Sequence, residues 1–399
     1  MASREPGCAK RVQSRPARSR EAPCSWLLDC LTVAFLAETT APAHRRRTAG
    51  ALPPVWRVGA LCLALVTVVN VVLLHQRGLS GDEPYYERMA AHPAGPHNFP
   101  YAFRIGVPYL VHVLPFSHAF SWQLLAVLAE AGAATALFAL MREFDVDDRL
   151  ATWLAVGFAL SPPLLVVLLR NGRNVDAAAS LVIALGTLFI VTRRRAALAV
   201  TLLAGTTVHE SCLFLIPLAY AVWAQRPIDP RALRDLVLVA GLPVLVYLYL
   251  RSSIVAVGQI YQPGYTGPFV SERWAMVRDA LHNGGWHGEL RRLAIDYGPL
   301  WLIAPLALAR LSFSRRGLVL VACCAASMTF AFDWGRALFF AAPVFYVSAA
   351  FVLKDRRRLA VAAVVALLAL DVGYGVYMQV HGVRHGLENF GPPARGPVS

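Results

Sequence analysis

VWRVGALCLALVTVVNVVLL, residues 55–74, decides what kind of chain this is. From Val58 to Leu74 it carries no charged side chain, and twenty residues of helix reach ~30 Å, the thickness of a bilayer's hydrocarbon core. Comparable apolar runs follow at residues 119–140, 150–169, 177–192, 196–208, 211–224, 236–250, 298–310, 317–332, 337–353 and 359–378, with a Pro-containing, semi-apolar stretch at 105–116. The pieces on either side of His209 and Glu210 are short for a full crossing, so they read either as a helical pair meeting near the outer surface or as a broken span.

Composition agrees with the local reading. The chain has 399 residues, 57% hydrophobic and only 16% charged, against about 45–50% and 25% in soluble domains. A soluble enzyme, a β-barrel and a disordered scaffold are excluded. The expected fold is all-α: a polytopic transmembrane helical bundle of about ten or eleven spans over residues 51–378, with outer-face loops at 75–118 and 251–297. Residues 1–50, rich in Arg, Ser, Pro and Ala, read as a disordered cytoplasmic tail. Their one apolar piece, Trp26 to Leu36, contains Asp29 and is too short to span. Residues 379–399 read as a flexible outer tail.

The formal charge of +14 does not indicate nucleic acid, because the cations sit in short clusters between apolar runs. Lys occurs only at Lys10 and Lys354, neither after a Gly-rich turn, which rules out a Walker A phosphate loop. The seven cysteines (Cys8, Cys24, Cys30, Cys62, Cys212, Cys323 and Cys324) form no CxxC pair and read as small apolar packing residues, with no disulfide framework and no zinc site. With Arg45 to Arg47 placed inside, alternation puts residues 141–149, 193–195, 225–234, 310–316 and 354–358 inside as well. Every one of them contains Arg, as cytoplasmic loops should. The expected location is the plasma membrane, multi-pass, with the active side extracytoplasmic.

A different chemistry collects on the other side: residues 75–104, 170–176, His209 with Glu210, 251–296 and 333–336 mix carboxylates, His, Asn and isolated Arg. Charged groups between apolar spans are expensive and point to function. The sharpest signal is Gly81-Asp82-Glu83-Pro84-Tyr85-Tyr86-Glu87-Arg88-Met89-Ala90, just after the first span. It resembles the Asp-Glu motif, followed by an aromatic-bearing helix, in the first extracytoplasmic loop of the GT-C superfamily. Those are polytopic glycosyltransferases that use polyprenyl-phosphate-linked sugars, the protein mannosyltransferases and the lipid A aminoarabinose transferases among them. The resemblance extends loosely over most of the chain, and beyond Arg104 no motif aligns residue by residue.

The resemblance implies transfer of a sugar from a polyprenyl-phosphate-linked donor to a glycan, lipid or protein acceptor on the outer face. It assigns activation or positioning of the acceptor to Asp82 or, second, to Glu83. The plainer reading of Asp82 is a helix N-cap with Pro84 in the first turn, and the two readings are compatible. Such chemistry needs cations for the departing lipid phosphate, a task suited to the planar guanidinium. Arg104, Arg170, Arg173 and Arg336 are the candidates, each with snorkelling or a structural ion pair as the alternative. Glu210 reads as a second carboxylate facing the site, with His209 beside it, or as half of a buried structural pair. HExxH zinc chemistry is excluded, since Leu213 and Phe214 stand where the second His belongs.

Asn174 and Asp176 suit sugar hydroxyls or the ends of helices. Asp333 and Arg336, three apart, would pair with each other on one helical face. The aromatics Tyr261, Tyr265, Trp274 and Trp286, with His282, Asn283 and His287, fit either a sugar face or a membrane-interface belt. No cofactor is expected, and a divalent metal stays open. The competing functions are a transporter or flippase of a lipid-linked or small polar substrate, and a non-catalytic membrane assembly subunit. No internal repeat is evident, and the polar groups gather at one set of helix ends, which favours the enzyme.

Overall fold

The computed structural model describes residues 55–72, 82–98, 101–169, 171–254, 256–257, 278, 285–329 and 334–388, and residues 45–224 with 228–399 cluster as one compact unit. The order begins α1 (Val55–Val72), α2 (Glu83–Ala91), β1 (His97–Asn98), a 3-10 turn (Tyr101–Phe103), α3 (Gly106–Val113), α4 (His118–Arg142), α5 (Asp148–Ala159) and α6 (Pro162–Leu169). It continues with α7 (Asp176–Val191), α8 (Arg195–Val208), a 3-10 turn (Glu210–Phe214), α9 (Leu215–Trp223), α10 (Pro230–Ser253) and β2 (Ala256–Val257). It ends with α11 (Gly285–Tyr297), α12 (Leu300–Ile303), a 3-10 turn (Ala304–Ala307), α13 (Ser312–Met328), α14 (Trp334–Phe339), α15 (Ala342–Leu353) and α16 (Arg357–Glu388). The expected tail at 1–50 lies outside the described residues, as do Arg170, Asp333 and most of the loop between 258 and 284.

The helical membrane bundle read from the sequence is the observed fold. Among the described residues α1, α4, α10 and α16 are each long and apolar enough to cross a bilayer; α5 and α6, bent by 45°, make a fifth as a broken span. α7, α8, the Glu210–Trp223 segment and α15 are shorter apolar helices. The α5–α6 bend has a local cause: Pro162 and Pro163 lack N–H groups, and the Ser161 hydroxyl donates to the Phe158 carbonyl at 2.7 Å instead.

The outer surface and the core are built differently. Leu61, Val68, Val71 and Val72 of α1 and Val237, Leu238, Leu242 and Leu245 of α10 are exposed, an apolar surface that lipid, not water, accommodates. The centre is α4, whose Ala126, Ala129, Ala133, Ala134 and Ala136 are buried. Small side chains let backbones approach closely where lipid offers no hydrophobic drive. Gly132 of α4 faces Leu181 of α7, and Gly59 of α1 faces Thr135.

The bundle has two chemically distinct ends. α7 begins at Asp176, α8 runs into His209 and Glu210, and α4 starts at His118, so these residues share one end. Arg142, Arg193 to Arg195, Arg231, Arg315, Arg316 and Lys354 collect at the other. That arginine end is tied together by the Arg142–Asp148 ion pair, by Arg195 to Asp235 at 2.5 Å and by Lys354 Nζ to the Phe144 carbonyl at 3.2 Å. At the opposite end β1 pairs parallel with β2, His97 with Ala256 and Asn98 with Val257, so the segment between α2 and α3 is anchored to the end of α10.

Candidate functional site

Asp82 immediately precedes α2, and its carbonyl accepts the N–H groups of Tyr85 and Tyr86 at 3.2 and 3.3 Å. Its own backbone is already helical (φ −81°, ψ −19°), and its side chain caps nothing. Asp82 holds the N-cap position with Pro84 in the first turn, as expected, but its side chain does no capping: an extended residue can turn its oxygen onto the first N–H groups, and a helical one cannot. The carboxylate turns elsewhere. Oδ1 accepts from the Tyr101 hydroxyl at 2.7 Å, and Oδ2 accepts from Arg336 Nη1 at 2.8 Å. The same Nη1 lies 3.3 Å from Asp176 Oδ2, so one guanidinium spans two carboxylates. Glu83, the other member of the acidic pair, is almost wholly buried.

Tyr101 is held by α2. Its ring stacks on Tyr85 (4.6 Å, 10°) and meets Tyr86 edge-on (5.3 Å, 82°), both favourable aromatic geometries. Arg104, one residue beyond the same 3-10 turn, donates Nε to Glu210 Oε2 at 3.0 Å and Nη2 to Oε1 at 2.5 Å. Its third nitrogen donates to the Tyr86 hydroxyl at 2.9 Å. A buried arginine so fully engaged acts as a strut between the segment preceding α3 and the α8–α9 junction. Of the two readings of Glu210, the structural pair is therefore present, and Glu210 keeps about a third of its side chain exposed.

The junction forms because α8 ends at Val208 and His209 is extended (φ −159°, ψ 138°), with Nδ1 accepting the Ser211 N–H at 3.1 Å. The His209 ring packs 5.1 Å from Phe340. Between α6 and α7 the chain passes through left-handed conformations at Asn171 and Gly172 (φ 59° and 67°). A side chain at Gly172 would press on the Trp122 carbonyl oxygen at 2.7 Å, so glycine is required twice over, by space and by φ. Asn174 Oδ1 accepts the N–H groups of Val175 at 2.6 Å and Asp176 at 3.3 Å. That serves the helix end, which is the structural one of its two readings. Arg173 pairs with Glu87 at 3.3 Å, and Glu87 also meets His118 at 3.4 Å, so this cation stands beside the network and not in it.

Arg336 rides on α14, which α11 grips at both ends. Glu289 Oε2 accepts the Trp334 N–H at 3.0 Å, and the Tyr297 hydroxyl donates to the Leu338 carbonyl at 2.8 Å. The expected Asp333 partner of Arg336 lies outside the described residues; the partners observed are Asp82 and Asp176. Sequence reading missed Tyr86, Tyr101 and Glu289. Tyr101 stood in the quoted run before Arg104, whereas Glu289 carries no local signal because the backbone it holds is 45 residues away. Two carboxylates inside the spans, Glu130 and Asp371, are wholly buried and accept no hydrogen bond.

Charge in the site is balanced by proximity. Burial alone would raise the Asp82 carboxyl, yet Arg336, the Tyr101 hydroxyl and Arg104 overcome it and hold its pKa down at about 2. Burial, reinforced by Asp82, pushes the Tyr101 phenol well above its ordinary value. Asp82 is thus a carboxylate and Tyr101 a proton donor to it at any physiological pH. Arg336, with 30% of its side chain exposed against 15% for Asp82 and 9% for Asp176, is the network's approachable cation.

No family model matches the sequence, and no curated protein is significantly similar to it. Solved structures do match in fold. The Archaeoglobus fulgidus oligosaccharyltransferase in complex with Zn and sulfate superposes with a TM-score of 0.51 at 13% identity, over 85% of this chain and 54% of that one. The same enzyme tethered with an acceptor peptide containing the NVT sequon gives 0.47 at 12% identity, over 86% and 56%. The chain thus spans about half the length of that enzyme. The fold of this chain is helical and multi-pass, and it resembles the fold of the first of these structures.

Proposed function

We propose that this chain is a membrane glycosyltransferase of the GT-C type, transferring a sugar from a polyprenyl-phosphate-linked donor to an acceptor on the extracytoplasmic face. The observation that carries the reading is the convergence of Asp82, Tyr101, Asp176 and Arg336, drawn from segments up to 254 residues apart, at one end of the bundle and not at mid-span. A carboxylate beside a partly exposed guanidinium supplies the two groups the reaction needs: one for the acceptor's proton, one for the phosphate that leaves with the lipid.

In the resting site Asp82 is a poor base, because Arg336 holds its proton affinity down. A donor phosphate competes for the same guanidinium and binds it in forked geometry. As Arg336 turns to the phosphate, Asp82 loses its strongest compensating charge while remaining buried, and its basicity rises. Base strength is then delivered when donor is present, which suppresses idle proton transfer. Tyr101 keeps the carboxylate oriented throughout.

The reading routes no step through a divalent ion. Arg336 Nη1 lies 2.8 Å from the Asp82 carboxylate and 3.3 Å from that of Asp176, and no three-residue group suited to a metal occurs among the described residues. The testing experiment is transfer by the purified protein from polyprenyl-phosphate sugars, with Asp82→Asn as reference. Flux of intact lipid-linked sugar across proteoliposomes without transfer would instead identify a flippase.

A further inference from the structure

Two ion bridges run between α2 and the turn that leads into α7. The first is the network itself, where Arg336 Nη1 lies 2.8 Å from Asp82 and 3.3 Å from Asp176. The second stands further along α2, where Glu87 Oε2 lies 3.3 Å from Arg173 Nε. Both of these atoms are shut off from solvent and neither makes a hydrogen bond, so each charge compensates the other's burial. The remaining Glu87 oxygen, Oε1, meets His118 Nδ1 at the head of α4 at 3.4 Å. One carboxylate thus stands between the turn and α4.

The turn is a firm anchor for such a bridge. Asn171 and Gly172 are left-handed (φ 59° and 67°), and a side chain at Gly172 would strike the Trp122 carbonyl oxygen of α4 at 2.7 Å. Arg173 leaves the chain directly after this constraint, and Asp176 follows as the first residue of α7. The two bridges differ in what they pass through. The first depends on Arg336, carried by α14, whereas the second joins α2 to the turn directly. When Arg336 turns to a phosphate, Asp82 and Asp176 lose the cation between them, and two carboxylates that shared one nitrogen repel each other. The Glu87–Arg173 bridge does not pass through Arg336 and persists.

We propose that Glu87 and Arg173 are a positioning pair, holding α2 against the turn so that Asp82 and Asp176 keep their spacing with or without Arg336 between them. Neither residue touches the substrate. The displacement of Arg336 rests on the glycosyltransferase reading above; the clamp itself is a property of the free protein. Arg173, on sequence alone a candidate for the lipid phosphate, is in this role committed to Glu87.

Hydrogen–deuterium exchange of the full-length protein in detergent, without donor, reads the clamp at the amides of residues 171–176. Glu87→Gln and Arg173→Gln should each speed exchange there about threefold or more, since either strands a buried partner. The double variant Glu87→Gln/Arg173→Gln should exchange no faster than the singles, and the charge swap Glu87→Arg/Arg173→Glu should return to the wild-type rate. Titration with a soluble short-chain polyprenyl phosphate is the second readout: affinity should fall about tenfold in each single variant and recover in the swap. A cation that binds the phosphate itself predicts an asymmetry instead. Glu87→Gln, which releases Arg173, would then bind donor as well as the wild type or better, while Arg173→Gln would bind it weakly. That asymmetry, wild-type exchange in either single variant, or a swap that fails to restore exchange would each overturn the proposal. Exchange that behaves as expected in a protein that binds no polyprenyl phosphate would leave the clamp standing and remove the glycosyltransferase reading. Should the single variants aggregate, the swap, which keeps both charges, decides alone by the exchange it shows.

Discussion

Asp82 and Arg336 stand 254 residues apart and meet in a 2.8 Å ion pair, which joins the head of α2 to the short helix before α15. Neither residue has that partner by local geometry. The pair exists because α2 places Asp82 over Tyr101 while α11 clamps α14 through Glu289 and Tyr297.

From this arrangement Asp82→Asn should abolish transfer, by a factor of about 100 to 10,000, the usual contribution of a general base. Since the side chain caps nothing in α2, the fold should survive, and a circular dichroism melt should show the helical content retained. Tyr101→Phe should reduce turnover less, leaving the base charged but less well oriented. Transfer at the wild-type rate in purified Asp82→Asn would remove Asp82 from the chemistry.

Arg336 separates two roles cleanly. Arg336→Lys preserves a positive charge between Asp82 and Asp176, so the fold should hold, but it loses the planar fork, and donor affinity should fall about tenfold or more. A structural cation alone would tolerate lysine with donor binding unchanged. Isothermal titration with a soluble short-chain polyprenyl phosphate reads the difference directly, without relying on turnover.

The parts of this molecule legible in its sequence were those written in local runs. Apolar length located α1, α4, α10 and α16, and the position of Asp82 after the first span singled out a carboxylate that joins the acid–arginine network. The broken span at Ser161 was invisible because 150–169 reads as one apolar run, and its division depends on two prolines in an otherwise uniform stretch. Partnerships were least legible. Arg336 reads as paired with Asp333 because helical spacing is all a sequence displays; Asp333 lies outside the described residues, and the Arg336 contacts with Asp82 and Asp176, across far larger separations, are ones no spacing could display. Arg104 reads as a phosphate ligand, a snorkelling side chain or half of a structural ion pair, and only packing shows its guanidinium bonded to Glu210 and Tyr86.

The depressed Asp82 carboxyl has a definite pH signature. Its folded pKa, about 2, lies below the ordinary 3.8, so the unfolded chain binds the proton more tightly. The stabilisation is fully present above about pH 4 and is lost as pH falls through about 2. The difference in melting temperature between wild type and Asp82→Asn should therefore be constant from pH 5 to 8 and shrink only in strong acid. In Arg336→Gln, burial is left with less compensation and the carboxyl should titrate higher, seen as a carboxylate-to-acid infrared band change at a pH above the wild type's. An unchanged band position would mean that Arg336 does not set the base strength.

The turn between α6 and α7 tests how far the site depends on a backbone that bears no reactive group. Gly172 has φ 67° and sits where a methyl would lie 2.7 Å from the Trp122 carbonyl oxygen and 2.9 Å from the Ala126 side chain. The left-handed conformation alone costs a non-glycine residue roughly 1–2 kcal/mol. The clash is with backbone, which cannot rotate away, so Gly172→Ala should destabilise by more than that figure. Relief requires the turn to lift off α4, and the turn carries Arg173, Asn174 and the start of α7 with Asp176. Gly172→Ala should therefore lower the melting temperature, and in molecules that still fold it should weaken donor binding by drawing Asp176 away from Arg336. Asn174→Ala makes the useful comparison, because it removes the hydrogen bonds at the head of α7 without forcing the turn outward, at a typical ~1 kcal/mol. If the two variants lose equal stability, the constraint at Gly172 is only that of a helix end, and the close approach of the turn to α4 has no part in holding Asp176 in place.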